Sequence, residues 1–217
     1  MLSYKELTDR QRELGARFSP SISLRVHRAL SWLGRAEREG TDNDARFLFL
    51  WISFNAAYAN ELLDRRVFTE RRLLLQFLSR LVKSDSEGLL SEIVWNQFSS
   101  SIRVLIDNQF VFQPFWEYQM GLISESEWKE AFENSKAAAN RALGRMDTTR
   151  VLAVVFDRLY TLRNQIVHGG ATWNGAVNRA QMKDGANILG YLAPAVIHLM
   201  MENHNQLWGD PCYPVVD

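Results

Sequence analysis

The segment Asp157–Gly170 reads Asp-Arg-Leu-Tyr-Thr-Leu-Arg-Asn-Gln-Ile-Val-His-Gly-Gly and is the starting point for predicting the fold. Apolar residues recur before and within it at the spacing of an α-helix, at Leu152, Val155, Leu159, Leu162 and Ile166. Such a narrow stripe is typical of a helix with one side in a core. Glycine tolerates the left-handed backbone that ends a helix, so Gly169 and Gly170 predict the C-terminus of this helix.

The opposite side of the predicted helix is polar. At about 3.6 residues per turn, this side carries Asp157, Tyr160, Thr161, Asn164 and His168. Arg163 lies on the flank between the polar and apolar sides. A helix side that only contacts water more often carries Lys and Glu, so this set indicates a surface that presents chemical groups.

The rest of the chain predicts further helices. We expect them at Ser3–Leu14, Ile22–Glu39, Phe47–Leu63, Leu73–Leu81, Leu89–Phe98, in the segment after Ser124, and at Asn178–Asn205. Ser3 with Glu6 and Ser124 with Glu127 have the spacing of capping boxes, and Asp147 or Thr148 is expected to cap the helix that leads to Gly169. The sequence therefore predicts an all-α bundle of about seven helices, with residues 1–217 forming a single domain.

Two regions of this bundle are distinctive. The helix Phe47–Leu63 is apolar nearly all round, which is typical of a central core helix, and it includes Asn55 in an apolar stripe. Asn55 either orients Arg163 or His168 or makes a hydrogen bond that locks the core. Residues 102–121 predict a helix that turns into an irregular segment. Its aromatic residues are expected to form a packed cover over one end of the core: Phe110, Phe112, Phe115 and Trp116.

Composition limits the possible functions. The chain has 217 residues, 47% of them hydrophobic, and a formal net charge of zero, so it lacks the overall basic charge of many nucleic-acid binders. Arginines nevertheless outnumber acids between Arg141 and Arg163, the others being Arg145, Arg150 and Arg158. This strip is either a solvated helix surface or a phosphate-binding one. A second set, Arg25, Arg28, Arg35 and Arg38, is expected to point mostly outward from its helix.

Other site types find little support in the sequence. Cys212 is the only cysteine, which rules out an internal disulfide and a cysteine-based zinc cluster and fits a reducing cytoplasm. His198 and Glu202 could contact one metal ion, but a third ligand does not accompany them. No phosphate-cradling glycine loop or dinucleotide fingerprint is present. We expect no metal, no cofactor, no signal peptide and no membrane span, and hence a cytoplasmic protein.

The triplet Arg163, Asn164 and His168 forms an Arg-Asn-x-x-x-His sequence that resembles the signature of the HEPN ribonucleases, the higher eukaryotes and prokaryotes nucleotide-binding family. The aromatic stretches Phe47–Tyr58 and Asp107–Trp116 also look like segments of such proteins. The resemblance implies an all-helical, HEPN-like fold and metal-independent RNA cleavage. It also implies a homodimer in which Arg163 and His168 enter one cleft from both chains. Many relatives act in toxin or defence settings, which suggests a protein antitoxin or regulator as a partner.

The residue types fit this chemistry. Histidine transfers protons near neutral pH because its unperturbed pKa is ~6.5, and arginine binds two phosphate oxygens with a planar, permanently charged group. Asn164 can orient the His168 ring or bind phosphate. Asp157 either tunes the site or pairs with an arginine. Tyr160 and Trp173 either contact a base or serve as a cleft wall and a loop anchor.

Less specific explanations remain open at this point. His168 could be a histidine placed near a helix C-terminus by the helix dipole, and Arg163 could form an ion pair. The chain could then be a HEPN-like module that binds RNA, nucleotide or a protein without catalysis, or a helical scaffold in which the triplet arose by chance.

Overall fold

The structure, a computed structural model, describes residues 2–59, 70–176, 178–206 and 208–213, and within these ranges it is helical without a β-strand. Ten α-helices lie in the described ranges: α1 Tyr4–Leu14, α2 Pro20–Ala36, α3 Asn43–Tyr58, α4 Glu70–Ser84, α5 Leu89–Glu92, α6 Ser99–Ile106, α7 Gln113–Gln119, α8 Glu125–Gly144, α9 Thr148–Val167 and α10 Arg179–Glu202. The all-α class is confirmed. The count exceeds the expected seven because residues 89–119 form several short helices.

The chain divides into two compact units, one formed by Met1–Leu89 with Gly185–Asp217 and the other by Leu90–Asp184. The second dividing point falls inside α10. The expectation of a single domain over residues 1–217 stays a prediction. The candidate residues fall in both units, since Asn55 belongs to the first and Asp157, Tyr160, Arg163, Asn164, His168 and Trp173 belong to the second.

In the first unit, α2 packs against both α1 and α3. As predicted, α3 is a core helix, with Phe47, Leu50 and Phe54 buried. It ends at Tyr58, earlier than expected, because Ala59 adopts an extended backbone conformation. The remainder of the predicted helix, residues 60–63, lies outside the described residues.

Arg25 corrects one expectation in this unit, because its side chain is buried and not turned outward. Its Nη1 donates to the carbonyl oxygen of Ala57 at 2.8 Å, and its Nη2 donates to the carbonyl oxygens of Gly209 and Asp210 at 3.2 and 2.8 Å. Arg28 binds the same C-terminal segment through the carbonyls of Cys212 and Tyr213. These acceptors are distant in sequence, which is why the helical spacing of α2 did not reveal them.

In the second unit, α9 packs against α6 and α8. A cluster of buried aromatic rings, Phe112, Phe115, Trp128 and Phe132, joins α7 to α8. Phe112 and Phe115 are thus packed as expected, and Trp116 packs against the same cluster, while their expected position over one end of the core stays a prediction. Phe110 does not join them in burial, since 44% of its surface is exposed. It lies in a short 3-10 helix, Gln109–Val111, within the segment predicted to be irregular.

Helix starts follow the predicted capping residues. Ser3 and Ser124 each accept a hydrogen bond from the backbone N–H three residues later, while Glu6 and Glu127 accept from the backbone N–H of the serine. Both capping boxes are therefore confirmed. The predicted helix at Leu89–Phe98 differs, because it changes at Ile93–Gln97 into a π-helix. No helix in the described ranges is both long and apolar enough to cross a membrane.

Candidate functional site at the end of α9

The helix α9 carries the candidate triplet and has well-defined ends. The Asp147 side chain accepts from the backbone N–H of Arg150 at 3.0 Å, as the prediction of an N-cap required. At the other end, the N–H of His168 donates to the carbonyl oxygen of Asn164 at 3.0 Å. Gly169 then turns the chain with φ of 72°. The predicted helix end at the glycine pair is confirmed.

Gly169 and Gly170 meet different requirements. A side chain at Gly169 would find open space, so its left-handed backbone is what favours glycine there. A Cβ at Gly170 would lie 3.1 Å from the carbonyl oxygen of Gln165, so close packing limits this position. The two glycines place the chain after α9 directly against the last turn of the helix.

The buried side of α9 is as predicted, since Leu152, Val155, Leu159 and Leu162 are all buried and Ile166 is half-buried. Thr161 is the exception to the expected polar side, because it is buried. Its hydroxyl donates to the carbonyl oxygen of Asp157 at 3.3 Å, one turn earlier. This local bond satisfies the hydroxyl, which allows a threonine to lie at the edge of the apolar side.

Arg163 and Asn164 form a connected pair on the polar side. The Arg163 Nη1 donates to Asn164 Oδ1 at 2.9 Å, and its guanidinium carbon lies 6.0 Å from the centre of the Tyr160 ring. Arg163 is half-buried, whereas 44% of the Tyr160 surface is exposed. Among the described residues, no carboxylate lies within ion-pairing distance of Arg163. The guanidinium is thus held in place by an amide that does not neutralise its charge.

His168 is the exposed end of this polar side. In the described part of the chain, its ring has neither a carboxylate partner nor a hydrogen bond. Asn164 lies one turn before His168, but its side-chain oxygen accepts from Arg163. The expected role of Asn164 as a residue that orients the His168 ring therefore stays a prediction, while its contact with Arg163 is observed.

Arg158 faces inward, and Asp157 beside it is half-buried. The Arg158 side chain is fully buried, with its guanidinium carbon 4.5 Å above the Phe112 ring and Nη2 donating to Ser135 Oγ at 3.1 Å. Its Nη1 lies 3.6 Å from an Asp157 carboxylate oxygen. Arg158 therefore does not belong to the arginine strip expected between residues 141 and 163. In that strip, Arg141, Arg145 and Arg150 are exposed.

Gln165, between Asn164 and His168, joins three segments of the second unit. Its Nε2 donates to the carbonyl oxygen of Phe110 at 2.6 Å, and its Oε1 accepts from Asn178 Nδ2 at 2.7 Å. Sequence reasoning did not select Gln165, and it named Phe110 only as part of the aromatic cover, because the partners of Gln165 are distant in the chain. Asn178 has one local signal, since its φ of 60° is a conformation that asparagine tolerates better than most residues.

The remaining candidates are less tightly placed. Trp173 lies in the loop after the glycine pair with 75% of its surface exposed, so it does not anchor the loop by burial. Asn55 is half-buried on α3 in the first unit, and its proposed action on Arg163 or His168 stays a prediction. On α10, Glu202 binds Arg10 through both carboxylate oxygens. The described residues contain no group of three potential metal-binding side chains.

No protein-family model, no curated protein and no solved structure matches this chain. The residues at the end of α9 and their contacts therefore carry the functional conclusion.

Proposed function

We propose that this protein is a metal-independent endoribonuclease of HEPN type, with a HEPN-like fold and a composite site in a homodimer. The observation that carries the proposal is the arrangement of Arg163 and His168. The arginine is half-buried, held by Asn164 and without a carboxylate partner among the described residues, while the histidine is exposed one turn further along α9.

The proposed reaction uses the 2′-hydroxyl of RNA as the nucleophile. A base removes the proton from this hydroxyl, its oxygen bonds to the adjacent phosphorus, and the bond from phosphorus to the 5′-oxygen breaks. That leaving oxygen takes up a proton, and a 2′,3′-cyclic phosphate remains. His168 is suited to the proton transfers. Arg163 is suited to stabilising the negative charge on the phosphorane, because its planar group donates to two oxygens at once.

A homodimer would supply the second proton-transfer group. The reaction needs one group that accepts a proton and one that donates a proton, whereas each chain offers one His168. Two copies related by symmetry would bring two histidines and two arginines to one cleft. The exposure of His168 and Tyr160 is compatible with such a cleft. A role in a toxin or defence system, with a protein antitoxin, belongs to the same proposal.

The second candidate is a HEPN-like module that binds RNA, nucleotide or a protein partner without catalysis. The observation that favours it is the formal net charge of zero, which provides no overall attraction for a polyanion.

The deciding experiment is cleavage of a mixed-sequence, single-stranded RNA in the presence of a chelator. We expect wild-type protein to cut and to leave 2′,3′-cyclic phosphate ends. His168→Ala should lower the rate by about 10² to 10⁴, the usual effect of losing a general acid or base. Arg163→Ala should lower it at least as much and also weaken RNA binding. His27→Ala and Arg12→Ala are the matched controls, because both side chains are exposed and lie outside the triplet and outside the arginine strip 141–163.

Three results would separate the alternatives. Equal cleavage by wild type and His168→Ala would show that the catalytic assignment is wrong. Binding of RNA or nucleotide without any cleavage would favour the non-catalytic module. Loss of activity upon chelation would contradict the metal-independent mechanism. Melting temperatures near that of wild type would show that the His168→Ala effect is not caused by unfolding.

A further inference from the structure

Phe110 has a rigidly held backbone and an exposed ring. Its carbonyl oxygen accepts two side-chain hydrogen bonds, from Trp116 Nε1 at 2.8 Å and from Gln165 Nε2 at 2.6 Å. Its N–H donates to Asn108 Oδ1 at 2.8 Å. The ring makes an edge-to-face contact with Phe115, with centres 5.4 Å apart, yet 44% of the residue remains exposed. Three hydrogen bonds thus hold the Phe110 backbone, and the Phe115 contact holds its ring.

The contacts of Gln165 attach the backbone of Phe110 to the turn of α9 that leads to His168. Gln165 lies in the same turn of α9 as Asn164 and three residues before His168. Because its amide bonds directly to the Phe110 carbonyl, the short helix Gln109–Val111 is attached to the α9 turn that leads to His168. The hydrogen bond from Asn178 holds the same amide from the other side. Phe110 is thus positioned by the structure that also positions the triplet.

We propose that Phe110 is a stacking platform for an unpaired base of the RNA substrate, next to the scissile phosphate; the proposal rests on the proposed function. An aromatic ring stacks on any base, because every base has a flat π-surface. Bases within a duplex are already stacked and paired, so a platform of this kind selects single-stranded RNA. Because the contact with Phe115 already restricts the Phe110 ring, less side-chain entropy is lost when a base binds. Gln165 acts as the residue that positions the platform.

A partner protein could also cover an exposed aromatic ring, but the neighbouring groups favour a nucleotide. Arg163, without an ion pair in the described ranges, offers a phosphate contact in the same part of α9. Exposed Tyr160 offers a second flat surface there. In the proposed complex, one base of a single strand stacks on the Phe110 ring and a nearby phosphate contacts Arg163.

Binding can be measured apart from cleavage with a fluorescent single-stranded RNA whose 2′-hydroxyls are methylated, since this RNA cannot be cut. We expect Phe110→Leu to raise the dissociation constant about 5- to 150-fold, the range for the loss of one stacked base. Phe110→Trp should bind like wild type, because it keeps a flat ring. Tyr213→Ala is the control, since it removes another exposed aromatic ring, with 86% of its surface accessible. Gln165→Ala should weaken binding less than Phe110→Leu.

The outcomes distinguish the platform from the proposed function. If wild type binds the RNA and Phe110→Leu binds equally well, the platform is overturned while RNA binding stands. If wild type does not bind this RNA, the stacking platform and RNA binding by the protein are both wrong. The cleavage assay then tests the catalytic proposal separately. If Phe110→Leu lowers the fraction of dimer in sedimentation and the remaining dimer binds RNA as wild type does, Phe110 contacts a second copy of the chain and the stacking platform is wrong. An unchanged melting temperature of Phe110→Leu excludes misfolding.

Discussion

The charged side chain of Arg25 is buried in the first unit and donates hydrogen bonds to backbone carbonyl oxygens. Burial lowers the pKa of this guanidinium to about 10, because water stabilises the charged form better than the protein interior does. The group therefore stays protonated at neutral pH. Its donors reach Ala57 at the end of α3 and Gly209 and Asp210 in the C-terminal segment, so one side chain joins two parts of the chain that are far apart in sequence.

Removing this side chain should destabilise the protein strongly. Arg25→Ala would remove the donor to the buried carbonyl of Ala57, at a cost of ~1–3 kcal/mol, and the donors to the partly buried carbonyls of Gly209 and Asp210, so we expect a loss of about 2 kcal/mol in the free energy of unfolding. Arg25→Lys should lose less, because it keeps a charge but not the planar fork. Urea denaturation measures both variants. Arg12→Ala is the control, because Arg12 is exposed on α1, and it should stay within about 0.5 kcal/mol of wild type. An equally small effect of Arg25→Ala would show that the hydrogen bonds of Arg25 do not stabilise the fold.

The helices α1 and α10 are joined within the first unit by Arg10 and Glu202. Arg10 Nε and Nη2 donate to the two carboxylate oxygens of Glu202 at 2.6 and 2.8 Å. These hydrogen bonds lower the pKa of Glu202 below its ordinary value of 4.5. A carboxylate whose pKa is lower in the folded protein stabilises the fold above the unfolded pKa, and this stabilisation is lost as pH falls through the folded pKa.

Glu202→Gln should therefore change stability in a pH-dependent way. At pH 7 we expect wild type to exceed the variant by about 0.5–1 kcal/mol, a modest value because both side chains are partly exposed and screened. The difference should stay constant down to about pH 5 and shrink as the carboxylate is protonated at lower pH. Urea melts from pH 7 to pH 3 measure it. Glu13→Gln, at the more exposed partner of Arg10, is the control and should show a smaller difference. A difference that grows on acidification would contradict this assignment.

The ends of the elements could be predicted because their causes are local. Ser3 with Glu6, Ser124 with Glu127, and Asp147 each cap a helix within a few residues, and their hydrogen bonds appear as expected. The buried residues of α9 follow from periodicity in the same way. The burial of Arg25 and Arg158 could not be predicted, because distant groups create it: carbonyls of the C-terminal segment around Arg25 and the Phe112 and Phe132 rings around Arg158.

In the candidate site, too, features with local causes could be predicted and contacts between distant segments could not. The triplet on α9, the exposure of His168 and the helix end at Gly169 could be predicted from spacing alone. The contacts of Gln165 with Phe110 and Asn178 could not, because they join three segments whose approach depends on tertiary packing. Spacing therefore identified the candidate residues on α9 but not the contacts that Gln165 makes with other segments.

At the scale of the whole molecule, the proposed homodimer predicts that two inactive variants complement each other. A mixed dimer of His168→Ala and Arg163→Ala chains would retain one histidine and one arginine in a shared cleft. We expect RNA cleavage by such mixed dimers to exceed that of a His168→Ala dimer by about tenfold or more, and to stay below wild type because one of the two histidines is missing. The dimers can be isolated with two different affinity tags after co-expression, and the cyclic-phosphate product measures their activity.

The control is a dimer isolated in the same way from two differently tagged His168→Ala chains, which should remain inactive. Mixed dimers that are no more active than this control would show that a shared cleft does not form, even if each wild-type chain cleaves RNA.

The two glycines after α9 should differ in whether they accept a D-amino acid. The φ of 72° at Gly169 is strained for an L-residue, whereas a D-residue adopts a positive φ readily. Since the space around it is open, D-alanine installed by chemical ligation should be accepted at 169 and should favour the turn by restricting the unfolded chain. At Gly170 a Cβ is opposed by the Gln165 carbonyl. The chirality of residue 169 therefore affects the turn after His168, and the side-chain volume at residue 170 limits how closely the chain packs against Gln165.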